Sequence, residues 1–213
     1  PTKMPMDSSA VSFSVEAQQL LNGIGCTLFA TAEDELRPIM NGIFMDIFED
    51  SVSFVASDTH KLVRFKNQGI APGVRLIEGN YPNYNSVIPT NNPNRLIIDR
   101  ALFVNVLRRV SVFADAALGL AKLQLKNGEL VVSTENKDYS ISAEEKVACN
   151  YTGDDLTIGF KASFLIEILN NISATEVLVE LSDPTRAGVI LPLENKENED
   201  LLMLLMPMML SDF

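Results

Sequence analysis

Leu102-Phe103-Val104-Asn105-Val106-Leu107-Arg108-Arg109-Val110 sets apolar side chains at positions i, i+1, i+4, i+5 and i+8, one buried stripe on an amphipathic helix. The same template occurs on either side of it. Toward the N-terminus it reads Leu20, Leu21, Ile24, Gly25 and Leu28, with Gly25 as its one gap. Toward the C-terminus it reads Phe164, Leu165, Ile168, Leu169 and Ile172. A short alternating run precedes each helix, over 11–15, 96–99 and 156–160. Three strand-like runs follow each: 39–48, 51–56 and 62–65 after the first; 120–126, 130–134 and 139–147 after the second; 177–181, 188–193 and 201–206 after the third. Asn127-Gly128 between two of these runs predicts a type I′ hairpin. The unit is βαβββ, used three times. Such units predict an α+β fold with antiparallel sheets paired edge to edge and helices gathered on one face.

The spacing is uneven. The second and third templates begin 62 residues apart, at Leu102 and Phe164, but the first and second begin 82 apart, at Leu20 and Leu102. A full intervening unit would need roughly 124, so about 40 residues are expected to be missing between copies one and two. The break is expected near Gly69-Ile70-Ala71-Pro72-Gly73, where a loop runs abruptly into Val74-Arg75-Leu76-Ile77.

Composition narrows the class. The chain has 213 residues, 46% of them apolar, enough for a packed core in one large domain or two small ones. No run of eighteen apolar residues exists, so no spanning helix is expected. Pro1-Thr2-Lys3-Met4-Pro5 has neither the basic nor the apolar region of a signal peptide and reads as a linker or boundary. Cys26 and Cys149 lie far apart without zinc-ligand spacing and read as reduced thiols of a cytosolic protein. The net charge of −11 opposes non-specific affinity for nucleic acid, so any DNA role must rest on a local basic surface or on topology.

Four local motifs lie on this repeat: Arg37-Pro38-Ile39-Met40-Asn41-Gly42-Ile43, Ser57-Asp58-Thr59-His60-Lys61-Leu62, Glu78-Gly79-Asn80-Tyr81-Pro82-Asn83-Tyr84 and Met206-Pro207-Met208-Met209-Leu210. They resemble motifs of the bacterial DNA polymerase III β subunit family, the sliding clamps. The first is similar to that family's strand ending in Asn-Gly, and the second to its Thr-Asp-Gly-His-Arg-Leu. The third is similar to its Gly-x-Phe-Pro-Asp-Tyr, and the fourth to its terminal Met-Pro-Met-Arg-Leu. The resemblance runs from about Ser12 to Leu210. It implies DNA-clamp domains, with residues 1–92 a partial middle domain and 93–213 a C-terminal domain. The family's N-terminal domain has no counterpart, and without it the chain is not expected to close a ring.

The resemblance further implies sheets on the outside and helices lining a pore that holds double-stranded DNA by enclosing it, independently of sequence. Asn105, Arg108, Arg109 and Lys161 are then the DNA-facing residues, although an ordinary solvated helix face has the same look. It also implies a hydrophobic groove for short peptide motifs of the polymerase III catalytic subunit, the clamp loader and other clamp-binding proteins. Carried over residue by residue, its walls are Met40, Ser57, Thr59, His60, Lys61, Leu62, Pro82 and Val87, then Leu118 and Phe164, then Leu204, Leu205, Met206, Pro207 and Met208. The methionines suit a groove that adapts to several clients, while the plain reading of 201–210 is a buried strand that Pro207 ends. Lys61 stands where the family usually has Arg, Ser86 where Arg is common and Met209 where the terminal Arg is expected, so the groove should be less basic and more apolar. The full-length protein is expected to be a cytoplasmic homodimer without cofactor, metal or membrane contact.

Catalysis has little to stand on. The one histidine, His60, has no positioned nucleophile beside it, and no phosphate loop, dinucleotide fingerprint or nucleophile elbow exists. For a two-metal site, Asp46, Glu49, Asp50 and Asp58 are the candidate carboxylates in a short span, and Glu49-Asp50 reads better as a hairpin turn, while Glu194 to Asp200 reads as an acidic hairpin loop. A repeat-built interaction adaptor unrelated to replication would share these fold signals but would not bind clamp-directed peptides.

Overall fold

The computed structural model describes residues 16–48, 50–68 and 81–210; the expected strand at 11–15 and the expected break near 69–73 lie outside them. Helix α1 (Ala17–Thr27) is followed by β1 (Phe44–Ile47), β2 (Ser51–Ser57) and β3 (Lys61–Gln68). Then come β4 (Asn94–Asp99), α2 (Arg100–Ser111), β5 (Leu120–Lys126), β6 (Glu129–Asn136), β7 (Ile141–Ala148) and the short β8 (Asn150–Thr152). The last unit is β9 (Leu156–Lys161), α3 (Ala162–Asn170), β10 (Glu176–Leu181), β11 (Gly188–Pro192) and β12 (Glu199–Leu205). The fold is α+β, as the repeat implied. Strand β8 carried no signal in the sequence.

Local chemistry fixes the boundaries. The Asp99 carboxylate accepts the Leu102 N–H at 2.7 Å and starts α2, and Arg108 and Arg109 in its last turn complement the helix dipole. The expected strand over 39–48 begins only at Phe44, because Pro38–Met40 forms a 3-10 turn. Pro38 lacks an N–H and has its φ already set for the first position of a helical turn. The Asn127-Gly128 turn is not type I′: Gly128 has φ +79°, but Asn127 is not among the described residues with positive φ.

The described strands form two antiparallel sheets. The larger runs β1-β2-β3-β12-β11-β10-β4-β8 and the smaller β7-β6-β5-β9. The leading strand of each complete unit is exchanged. Strand β4 pairs with β10 of the third unit, and β9 pairs with β5 of the second. Unit one joins the larger sheet through β3 and β12, which pair over seven residues from Glu199↔Asn67 to Leu205↔Lys61.

Helices α2 and α3 pack together, and α1 lies on β2 and β3. The sheet-facing stripes read Phe103, Val106, Val110 on α2 and Leu165, Ile168, Ile172 on the α3 segment, all buried. On α1 the matching stripe is half-buried Leu20, then buried Gly23 and Thr27. The first copy of the template is therefore out of register by one residue. Gly23 decides this, since a Cβ there would come within 2.4 Å of the Phe54 ring; α1 sits too close to β2 for a larger side chain.

The larger sheet is buried on both faces where units one and three join. Met203 and Leu205 of β12 enter the main core beneath the helices. Leu202 and Leu204 enter a smaller core on the opposite face, with Val55, Leu62, Tyr84, Ala187 and Val189. The two-residue period of a strand thus sorts one apolar run into two cores. The segment from Tyr81 to Ile88 covers the smaller core: the Tyr81 ring stacks on Phe44 at 4.6 Å and the Tyr84 hydroxyl donates to Asp46 at 2.8 Å.

Candidate functional site

The hairpin turn Asp58-Thr59-His60 between β2 and β3 stands at the end of the smaller core. The Asp58 carboxylate accepts the backbone N–H groups of His60 and Lys61 at 3.0 and 2.8 Å, and the Ser57 hydroxyl donates to the Lys61 carbonyl at 2.9 Å. Thr59 carries the sharpest bend with φ +77°. It occupies the position where the resemblance puts glycine.

Lys61 is the electrostatic centre. Its side chain is 6% exposed, and its Nζ lies 2.7 Å from Asp58 and 3.2 Å from Glu167 on α3. Burial pulls its pKa down, but hydrogen bonds and charge from Asp58 and Glu167 outweigh burial and hold it above the ordinary lysine range. The same ammonium sits 4.6 Å from the Phe164 ring centroid, and the His60 ring lies 5.7 Å from that ring. Lys61 therefore ties the hairpin of unit one to the helix of unit three.

Beside this tie is a cavity of about 270 Å3. Met40, Ser57, Thr59, His60, Lys61, Leu62, Pro82, Val87, Leu204 and Met206 line it, ten of the residues assigned to the groove from the sequence. Tyr81, Asn83, Tyr84 and Ala187 line it as well. The two tyrosines stand in the motif already singled out and could have been found from it. Ala187, small and directly ahead of β11, gave no signal. Burial, followed by the bond to Asp46, raises the Tyr84 pKa to about 12. Leu62 and Leu204 form the floor, while Met206 and Val87 are about half exposed at the rim. The Met206 N–H donates to the His60 carbonyl at 2.9 Å and continues the strand join to the edge of the cavity.

Five assigned residues are not among those lining the cavity. Leu205 turns to the opposite face of β12 and is fully buried in the main core. Met208 is held by its N–H to the Gly159 carbonyl at 2.8 Å, where a Cβ on Gly159 would meet Leu120, Leu210 and the Met208 carbonyl. Pro207 lies between these two points, with β12 ending at Leu205 before it. Leu118 belongs to a loop pinned by Asp115, which accepts its N–H at 2.8 Å. Phe164 touches the site only through Lys61 and His60.

Asn105, Arg108 and Arg109 share the exposed side of α2. Arg109 is ion-paired with Glu145 of β7, its Nε 3.0 Å from the carboxylate, and this bond holds the Glu145 carboxyl below the usual range. Lys161 stands at the N-cap of α3, its Nζ 4.8 Å from the Phe164 ring centroid. Neither cysteine is in a disulfide; burial pushes both thiols up. Among the described residues no helix is long and apolar enough to cross a membrane, and no three His, Cys, Asp or Glu side chains are grouped to hold a metal ion.

Known proteins resemble this chain over nearly all of it. A family model described as DNA polymerase III beta subunit, C-terminal domain, matches residues 85–209, more than half of the chain. The beta sliding clamp of Treponema pallidum is 27% identical over 252 residues, covering 96% of this chain and 67% of the relative. That of Synechococcus elongatus is 24% identical, covering 90% of this chain and 64% of the relative. The chain thus spans about two thirds of the length of these curated relatives. The aligned stretch of 252 residues exceeds the 213 of this chain, so the Treponema protein holds residues with no counterpart here. Among solved structures, the DNA polymerase III beta subunit of Thermotoga maritima superposes with a TM-score of 0.91 at 21% identity, over 99% of this chain and 68% of that one. The DnaN sliding clamp of Bartonella birtlesii, solved bound to griselimycin, gives 0.88 at 26% identity, over 99% and 68%.

Proposed function

This chain belongs to the DNA polymerase III beta subunit family, and from that membership we propose that it serves as part of a DNA sliding clamp, the processivity factor of the replicative polymerase. In this reading it is a non-catalytic, cytoplasmic accessory protein. Residues 1–92 act as a partial middle domain and 93–213 as the C-terminal domain. In a longer protein the ring would close as a homodimer around double-stranded DNA, with Asn105, Arg108, Arg109 and Lys161 turned to the duplex. Enclosure needs no tight phosphate contacts, so a net charge of −11 is no obstacle.

One observation carries the reading: a largely apolar cavity where the β2–β3 hairpin, the 81–88 segment and the end of β12 meet. Its floor is Leu62 and Leu204, its rim Met206 and Val87, and the rim backbone is held by the His60–Met206 bond. We assign it to extended peptide segments of the polymerase catalytic subunit, the clamp loader and other clamp-binding proteins, which would seat apolar anchors there. A flexible methionine rim suits clients of differing sequence.

Fluorescence titration with a labelled polymerase-derived clamp-binding peptide tests this. Saturable binding is expected, weakened by about 1 to 3 kcal/mol in Leu62→Ala and in Met206→Ala. Absence of affinity, or affinity indifferent to both substitutions, would leave the repeat-built adaptor as the better description.

A further inference from the structure

We propose that the outer face of α1 is a self-association surface, covered in solution by α1 of a second copy of this chain. The proposal stands on unit one alone and does not depend on the peptide cavity.

In the register set by burial, Leu21 and Ile24 of α1 correspond to Val104 and Leu107 of α2 and to Ile166 and Leu169 of α3. Leu107 and Leu169 are fully buried and Val104 is 4% exposed, in a core that the two packed helices share. Leu21 is 63% and Ile24 36% exposed. Leu28, at the position held by Ser111 and Ser173 in the other units, is 57% exposed and extends the apolar strip by a further turn. An apolar strip of this kind on one helix face marks an interaction site rather than a solvated surface.

The sheet edge tells the same story. The first strand after each helix in the complete units receives the leading strand of the companion unit: β5 receives β9 and β10 receives β4. In unit one that strand is β1, and it ends the larger sheet with no outer neighbour among the described residues. Unit one thus offers both the helix face and the strand edge that a companion unit covers elsewhere in this molecule.

A second copy is the companion that fits. Among the described residues every copy leaves the same helix face and strand edge uncovered, so a two-fold axis beside α1 satisfies both at once with one self-complementary patch. Helix α1, Ala-Gln-Gln-Leu-Leu-Asn-Gly-Ile-Gly-Cys-Thr, contains no charged residue, so bringing it against itself sets no like charges together. By contrast α2 carries three arginines and α3 a glutamate. Two half-domains meeting this way would reproduce the helix pair seen between α2 and α3.

Sedimentation equilibrium of the chain, with Leu21→Glu combined with Leu28→Glu as the comparison, decides the matter. Both side chains are exposed, so circular dichroism and thermal melting of the variant monomer should show an intact fold. The expected result is a wild type at twice the mass of one chain at micromolar concentration and a variant at the mass of one. With Cys26→Ser and Cys149→Ser in place, Ile24→Cys should cross-link two copies on mild oxidation. A wild type that stays single at all concentrations, as it would if a foreign partner covers the face, overturns the proposal. So does a dimer that the double variant leaves unchanged, or one that Ile24→Cys fails to link.

Discussion

Thr59 holds a φ of +77°, a conformation that costs a β-branched residue about 1 to 2 kcal/mol. Glycine adopts it freely but loses more entropy on folding, which offsets part of the gain. Thr59→Gly should therefore stabilise the chain by about 0.5 to 1 kcal/mol in urea unfolding; an unchanged midpoint would mean that the Ser57 and Asp58 bonds already absorb the strain. Lys61→Ala should cost about 2 kcal/mol, because Asp58 and Glu167 lose the cation between them while still partly shielded from water. Tyr84 gives a pH signature. Its hydroxyl is held neutral to about 12 by burial and by Asp46, against 10.0 ordinarily. Below pH 10 both folded and unfolded chains keep the proton, and its contribution is complete. Between 10 and 12 the unfolded chain ionises first and stability drains away. Alkaline unfolding should show this loss, and Tyr84→Phe should make it shallower.

The same logic separates neighbours on one strand. Leu205 and Leu204 are adjacent in β12, one in the main core and one at the cavity floor. Leu205→Ala should cost about 3 kcal/mol in denaturant unfolding while the folded fraction keeps its peptide affinity. Leu204→Ala should lower both. Equal effects on affinity would deny that β12 divides between two faces. Much of this was legible in the sequence. Periodicity located all three helices and most strands, since burial imposes two- and 3.6-residue periods wherever one side meets a core. Alternation could not say which face of β12 belonged to the cavity, because residues 201–205 are all apolar and buried on both faces. The α1 register slipped for a related reason: its sheet-facing position is Gly23, which an apolar template passes over. Strand exchange between units two and three is long-range pairing, to which local pattern is blind. Ala187 reaches the cavity by tertiary packing alone.

Across the whole molecule, charge and topology pull in one direction. A chain of net charge −11, with Arg109 already paired to Glu145, has few cations to trade for phosphate counterions. Its affinity for a short linear duplex at physiological salt should be no tighter than about 10⁻⁴ M by fluorescence anisotropy. Tight binding lost on Arg108→Glu would show a gripping surface in place of an enclosing one. The cavity at the join of units one and three is the feature on which the functional account turns. It can be interrogated site by site with 15N-1H correlation spectra recorded during titration with the polymerase-derived peptide. The account predicts perturbations concentrated at 57–62, 81–87 and Met206. Perturbations centred on β5 to β7, or spectra unchanged at saturating peptide, would contradict it.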